Sequence, residues 1–323
     1  MNHNKISLKT AIIAFWLAIV PFTLHADYLM GDVDGDERVS IADVTRLTDY
    51  LISQDANLIN FTIADVDDDG QVSIADVTTL LDLLLSGRNI EVIEVTSAVT
   101  IRMVKVLGGS FLMGTDMDQP GEASQWELPS HKVTVSDFSI GETEVTQELW
   151  QAVMGSNPSR FTGNARHPVE GVTWNDCQQF IAKLRQMTGK NFRLPTEAEW
   201  EFAARGGGKS KGYKFAGSND ASRVAWWGYN IGNGDCSTHP VAELTPNELG
   251  IHDMSGNVWE WCQDWFAPYG SDEQTNPAGP ETGTCKVFRG GCWSGDSKYC
   301  RVTERFYFAP TLHGDLIGLR LAL

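Results

Sequence analysis

The chain has 323 residues, of which 42% are hydrophobic and 10% aromatic, enough for two modules with real cores. A formal net charge of −17 repels nucleic acid and anionic membrane surfaces, which excludes both as partners, and it suits calcium and solubility.

The first segment is a targeting signal. Lys5 and Lys9 precede the apolar run 11–20, and small residues lead to a cleavage point near Ala26. The run is too short for a bilayer anchor, so residues 1–26 read as a secretory signal. The mature chain is expected to be secreted, extracellular or periplasmic, with no membrane span after cleavage. Six cysteines follow, Cys177, Cys236, Cys262, Cys285, Cys292 and Cys300. An even count in an exported chain permits disulfides, but the pairing is open, and free buried thiols are the alternative.

Residues 27–87 contain an internal repeat. Segments 32–45 and 65–78 share aspartates at loop positions 1, 3, 5 and 12, a calcium-loop pattern. Ca²⁺ is a hard cation that wants about six to eight oxygens, and alternating Asp side chains turn inward to supply them. The expected ligands are Asp32, Asp34, Asp36 and Asp43 in the first loop and Asp65, Asp67, Asp69 and Asp76 in the second. Arg38 and Gln71 each add a backbone carbonyl. Position 6, which favours glycine for its left-handed turn, is Gly70 in the second loop and Glu37 in the first. An apolar face follows each loop: Val44, Leu47, Tyr50 and Leu51, then Val77, Leu80, Leu81 and Leu84. This small all-α calcium module resembles a type I dockerin over about residues 30–87. The resemblance implies a cohesin-like partner, selected through positions 10 and 11, here Ile41 with Ala42 and Ile74 with Ala75. A calcium clip without a partner is the alternative. Residues 88–99 form a linker whose alternation predicts a strand paired with the next domain.

From residue 100 onward, short strands at 103–106, 109–114 and 131–138 alternate with turns. Thr146 and Asn175 are read as helix starts, and Thr196 with Glu199 as a capping box. Glu144-Val-Thr146, Pro168–Trp174, Arg193–Glu201, Gly250–Trp261 and Arg289-Gly-Gly291 follow in order. Together these segments resemble the formylglycine-generating enzyme, or sulfatase-modifying factor, family over residues 100–323. The resemblance implies an irregular α+β domain of C-type-lectin-like type. It also implies a calcium site with carboxylates from Asp253 and Glu260 and carbonyls from Gly256 and Val258. An active family member holds Cu(I) on two thiolates, a soft pair suited to that ion. Here Cys300 matches the second ligand, Gly295 stands at the first, and Cys292 lies three residues earlier. A copper-dependent oxidase with an altered cysteine site is therefore an alternative only. An iron-using branch needs a His-x-x-x-His-x-Glu cluster, and none of the seven histidines is so spaced.

The tail has two textures. A frame of Arg289-Gly-Gly291, Trp293, Lys298, Cys300-Arg-Val302, Arg305, Pro310 and residues 317–323 is interrupted by other positions. These are Ser294, Gly295, Asp296, Ser297, Tyr299, Phe306, Tyr307, Phe308, Ala309, Thr311, Leu312, His313, Gly314, Asp315 and Leu316. All belong to the set reachable by replacing the adenines of an AAC codon. The arrangement resembles the variable region of diversity-generating retroelement proteins. Most of those positions, together with Trp293, are the expected ligand-binding residues for an unknown protein or glycan, since Tyr, Ser and Asp make rigid anchors and adaptable contacts. Three successive aromatics cannot all face one core from a strand, which predicts exposed aromatic surface. The expected function is a ligand-binding display scaffold tethered through the calcium module, with the oxidase and a structural part of a polysaccharide-handling complex as alternatives.

Overall fold

A computed structural model describes residues 31–36, 39–66, 70–86, 90–116, 124–228 and 236–323. The signal segment, Arg38, Asp67 and Asp69 lie outside the described residues. The chain divides into two compact units, with the boundary after Leu85.

In the smaller unit, Ser40 caps α1 (Ile41–Ser53) by a box with Asp43, and Gln54 ends it in the left-handed region. Helices α2 (Phe61–Ala64) and α3 (Ile74–Ser86) follow. Val33, Val44, Leu47, Tyr50, Ala64, Val77 and Leu80 form a small core. The duplicated apolar faces thus meet, as the helical spacing requires.

Among its described residues the larger unit is an irregular α+β domain with three small sheets. Strands β1 (Ile90–Thr96), β2 (Val99–Val106) and β5 (Phe138–Gly141) form one. The expected linker therefore becomes β1 of this unit, antiparallel to β2, because its alternating apolar side chains have a sheet to cover. A second sheet joins β3 (Gly109–Met113), β4 (His131–Val135) and β7 (Gln274–Thr275). The third has the order β10-β6-β8-β9, from β6 (Trp259–Trp265), β8 (Lys286–Arg289), β9 (Arg305–Phe308) and β10 (Ile317–Leu319).

Three helices pack against the sheets. Thr146 caps α4 (Gln147–Met154), and Thr196 with Glu199 boxes α6 (Glu197–Ala204), as read from the sequence. The start of α5 (Trp174–Thr188) differs: Thr173, boxed with Asp176, is its cap rather than Asn175. A threonine hydroxyl reaching the amide at the third helical position out-competes the asparagine two residues later. Trp150 of α4 stacks on Phe180 of α5 with ring centroids 4.8 Å apart.

Candidate functional site

The third sheet and the tail build one surface. Within β9 side chains alternate, so Arg305 is buried, Phe306 and Phe308 are 44% and 48% exposed, and Tyr307 turns to the other face. There Tyr307 stacks on Phe266, centroids 3.8 Å apart, and meets Trp126 edge-on. On the outer side, Phe306 lies 6.0 Å from Trp259 and 5.7 Å from Phe288. These rings form the floor of an apolar hollow of about 320 Å³, closed by Ser294, Tyr299, Phe308, Leu312 and Leu316. Six of the expected ligand-binding residues thus converge: Ser294, Tyr299, Phe306, Phe308, Leu312 and Leu316. Asp296, Thr311 and His313 are exposed beside them, and Ser297 and Asp315 are half-buried. Asp315 is ion-paired with Arg160.

Trp293 departs from the expectation. It is buried, its indole N–H donates to Asp315 O at 2.9 Å, and it packs edge-on against Phe161. It supports the tail rather than facing a ligand. Sequence reasoning missed Trp259, Phe288 and Ile317 as lining residues. The only available signal was the Trp-x-Trp alternation of β6, which puts Trp259 and Trp261 on one face of the strand.

The frame is held from beneath by charge. Arg289 is fully buried beside Glu201 and Glu197, and its Nη1 donates to Glu304 O at 2.6 Å. Arg305 donates to both oxygens of Glu197 at 2.8 and 2.6 Å. Arg301 donates to both oxygens of Glu127 at 2.7 and 2.8 Å. Arg289, Gly290, Gly291, Trp293, Cys300, Arg301, Val302, Arg305 and residues 317–322 are all buried, while no position between them from the interrupting set is. Among the frame positions Lys298 is exposed, and Pro310 and Leu323 are half-buried.

The two candidate copper ligands are free, buried thiols. Burial pushes Cys292 up to about 11 and Cys300 higher still, so both are protonated at neutral pH. Cys292 Sγ donates to Ser294 O at 3.0 Å. Gly295 has φ +127°, a backbone that strains any residue with a Cβ, and its carbonyl accepts from Gly228 N at 2.9 Å. The position of the missing cysteine is therefore rebuilt around glycine.

In the small unit, ligand atoms of Asp32, Asp34 and Asp36 lie within 4.8 Å of one another, a donor set that fits a hard cation. Asp43 is buried and points its oxygens at Asp34 N (3.0 Å) and Ser40 N (2.7 Å). Asp76 does the same for Val66 N and Ser73 N, both at 2.7 Å, and Asp65 accepts from Gly70 N. Gln71 is exposed in the second loop. Ile41 and Ile74 are 67% and 71% exposed, and Ala42 and Ala75 are exposed beside them.

The calcium set expected in the large unit is only partly assembled. Glu260 is no open ligand: both oxygens accept from Arg320 at 2.8–3.1 Å, and Trp200 Nε1 donates to it at 2.6 Å. Gly256 N donates to Gly290 O, and Val258 N to Glu144 Oε1. Asp253 Oδ2 accepts from Ala242 N, while its buried Oδ1 has no partner. Glu144, not anticipated, completes the cluster. Burial, then Asp253 and Glu260, push its carboxyl well above the usual range.

The family described as "Sulfatase-modifying factor enzyme 1-like domain" matches residues 91–323, and "Dockerin type I domain" matches residues 30–85. The chaperone protein LppX of Paenibacillus barcinonensis is 35% identical, over 70% of this chain and 90% of that protein. A formylglycine-generating enzyme of Streptomyces coelicolor is 32% identical, over 68% of this chain and 88% of that protein. Among solved structures, variable protein 1 of Treponema denticola superposes with a TM-score of 0.64 at 34% identity, over 72% of this chain and 98% of that one.

Proposed function

The chain belongs to the sulfatase-modifying factor enzyme 1-like family across residues 91–323, and we propose that its large unit is a ligand-binding display scaffold rather than an oxidase. The observation that carries this reading is the separation within the tail: frame residues are buried and ion-paired, while interrupting residues line or surround an apolar hollow. Such an arrangement lets side chains at the surface change without loss of the core. Similarity to a variable protein of the same fold supports it. The buried, protonated thiols and the glycine backbone at 295 weigh against a Cu(I) dithiolate.

The amino-terminal repeat serves as the tether. A dockerin-type module implies a cohesin-type partner, and the paired exposed Ile-Ala steps are its contact residues. Calcium would be held by Asp32, Asp34, Asp36 and Asp43 in one loop and by Asp65 and Asp76 in the other, with Asp67, Asp69, Arg38 and Gln71 completing the sets. In the large unit, three carboxylates face the single guanidinium of Arg320, and the orphaned Asp253 Oδ1 supports a further cation there, with Gly256 and Val258 as carbonyl donors. Export follows from the signal segment. Among the described residues no helix is long and apolar enough to cross a membrane.

Deep sequencing of the gene's 3′ end across a cell population tests the scaffold reading. Variation confined to codons for the interrupting residues, with the frame fixed, is the expected result. An invariant tail, together with stoichiometric Cu(I) uptake that Cys300→Ser abolishes, would establish the oxidase instead.

A further inference from the structure

Ser294, Gly295, Asp296, Lys298 and Tyr299 are exposed on an arch that starts and ends at a buried thiol. Cys292 stands at one foot, 5% exposed, and Cys300 at the other, fully buried. Local bonds shape the arch: Asp296 Oδ1 accepts from Lys298 N, and Asp296 O accepts from Tyr299 N, both at 3.0 Å. Its crown is tied to the domain where Gly228 N donates to Gly295 O at 2.9 Å.

Beneath the arch the two feet lie against each other. Cys300 Sγ and Cα are 2.8 and 2.9 Å from the place that a Cβ on Gly291 would take. Only glycine fits there, at φ +77°, and its missing side chain lets the second cysteine pack on the backbone just before the first. The N–H of Cys292 faces the Cys300 sulfur. Cys292 Sγ itself points away, to Ser294 O at 3.0 Å, and a turn about its Cα–Cβ bond redirects it. Cys300 is held in place, since Ser255 Oγ donates to its carbonyl at 2.8 Å. Access is unequal: Cys292 lines the apolar hollow of about 320 Å³ beside Trp259 and Phe306, and Cys300 does not. A hollow of that size admits a small molecule to the first thiol.

We propose that Cys292 and Cys300 form a disulfide that locks the arch, made by exchange with a small-molecule disulfide. Cys292, reached through the hollow, gives up its proton and attacks the disulfide RS–SR, releasing one RSH and leaving a mixed disulfide on its own sulfur. Cys300 then attacks that sulfur, and its proton leaves with the second RSH. Two thiols are oxidised, one disulfide is reduced, and the balance closes without a further reactant. The closed ring removes open conformations of residues 293–299. The chemistry is independent of what the tail binds, while the use of the lock rests on the tail being the binding surface.

The test equilibrates the full chain with oxidised and reduced glutathione, traps thiols with N-ethylmaleimide in denaturant, and maps the tryptic peptides. Lys298 divides the arch, so the bond joins peptide 290–298 to peptide 299–301. That linked pair is expected once oxidised glutathione predominates. In Cys300→Ser, Cys292 should instead carry a glutathionyl group, because the second exchange has no thiol. If that variant fails to fold, Cys292→Ser should leave Cys300 a free thiol at every ratio. Trypsin applied to the native protein should cut after Lys298 at least tenfold more slowly in the oxidised form than in the reduced form. Both peptides alkylated at every ratio, Cys292 joined to another cysteine, an unmodified Cys292 in folded Cys300→Ser, or equal rates of native cleavage would each overturn the proposal.

Discussion

Asp264 shows how a single buried carboxyl shapes the pH response. Its pKa in the fold is about 7 against an ordinary 3.8, because burial and the nearby Glu197 disfavour the charge. The fold therefore prefers the protonated form. That contribution is complete below about pH 4 and is lost as pH rises through about 7. At about 1.4 kcal/mol per pKa unit, the ceiling is ~4 kcal/mol. Urea unfolding between pH 4 and 8 should show wild type losing stability relative to Asp264→Asn over that interval. A difference between them that is flat in pH would contradict the role assigned to burial. Gly295 acts at the same scale through its backbone alone, since a cysteine placed there would meet a φ of +127° before it met any metal.

Within β9 the two kinds of tail residue sit side by side. Phe306→Ser and Phe308→Ser each remove a half-exposed ring and should change stability by no more than about 1 kcal/mol. Arg305→Ala removes the bidentate partner of buried Glu197 and leaves it Arg289 and the Tyr269 hydroxyl, and should cost about 3 kcal/mol. Chemical denaturation of the three variants checks the contrast. Much of this element was legible beforehand: the aromatic run 306–308 could not be buried on both faces, and the texture of the tail separated frame from surface. The helix starts at Thr146 and Thr196 were readable because capping is local. The start of α5 was misread by two residues because two capping residues compete there. The partners of Arg289, Arg301 and Arg305 were not legible, since Glu197, Glu201 and Glu127 lie roughly a hundred or more positions away and no local pattern encodes such pairs. For the same reason Glu144 and Asp264 escaped notice: each gains its character from burial, which one sequence does not display.

At the scale of the whole molecule, the two units differ in how much core supports them. Among its described residues the small unit buries eight apolar side chains around two acidic loops, a core of the size that needs a metal to stand. Calcium should stabilise it in proportion to the logarithm of concentration, by about 2.7 kcal/mol per site at a hundredfold excess over Kd, and its melting temperature should rise accordingly. Scanning calorimetry with calcium and with chelator checks this. An amino-terminal transition insensitive to both would remove calcium from that unit's architecture. The large unit closes in another way. Residues 319–323 bond to Ser139, Gly141, Val145 and Arg193, so its first sheet is completed by residues far away in sequence. Loops that long close slowly. The domain locks only once residues 319–323 have reached β5, so its closure waits on a contact between distant parts of the chain and its topology makes it a late folder.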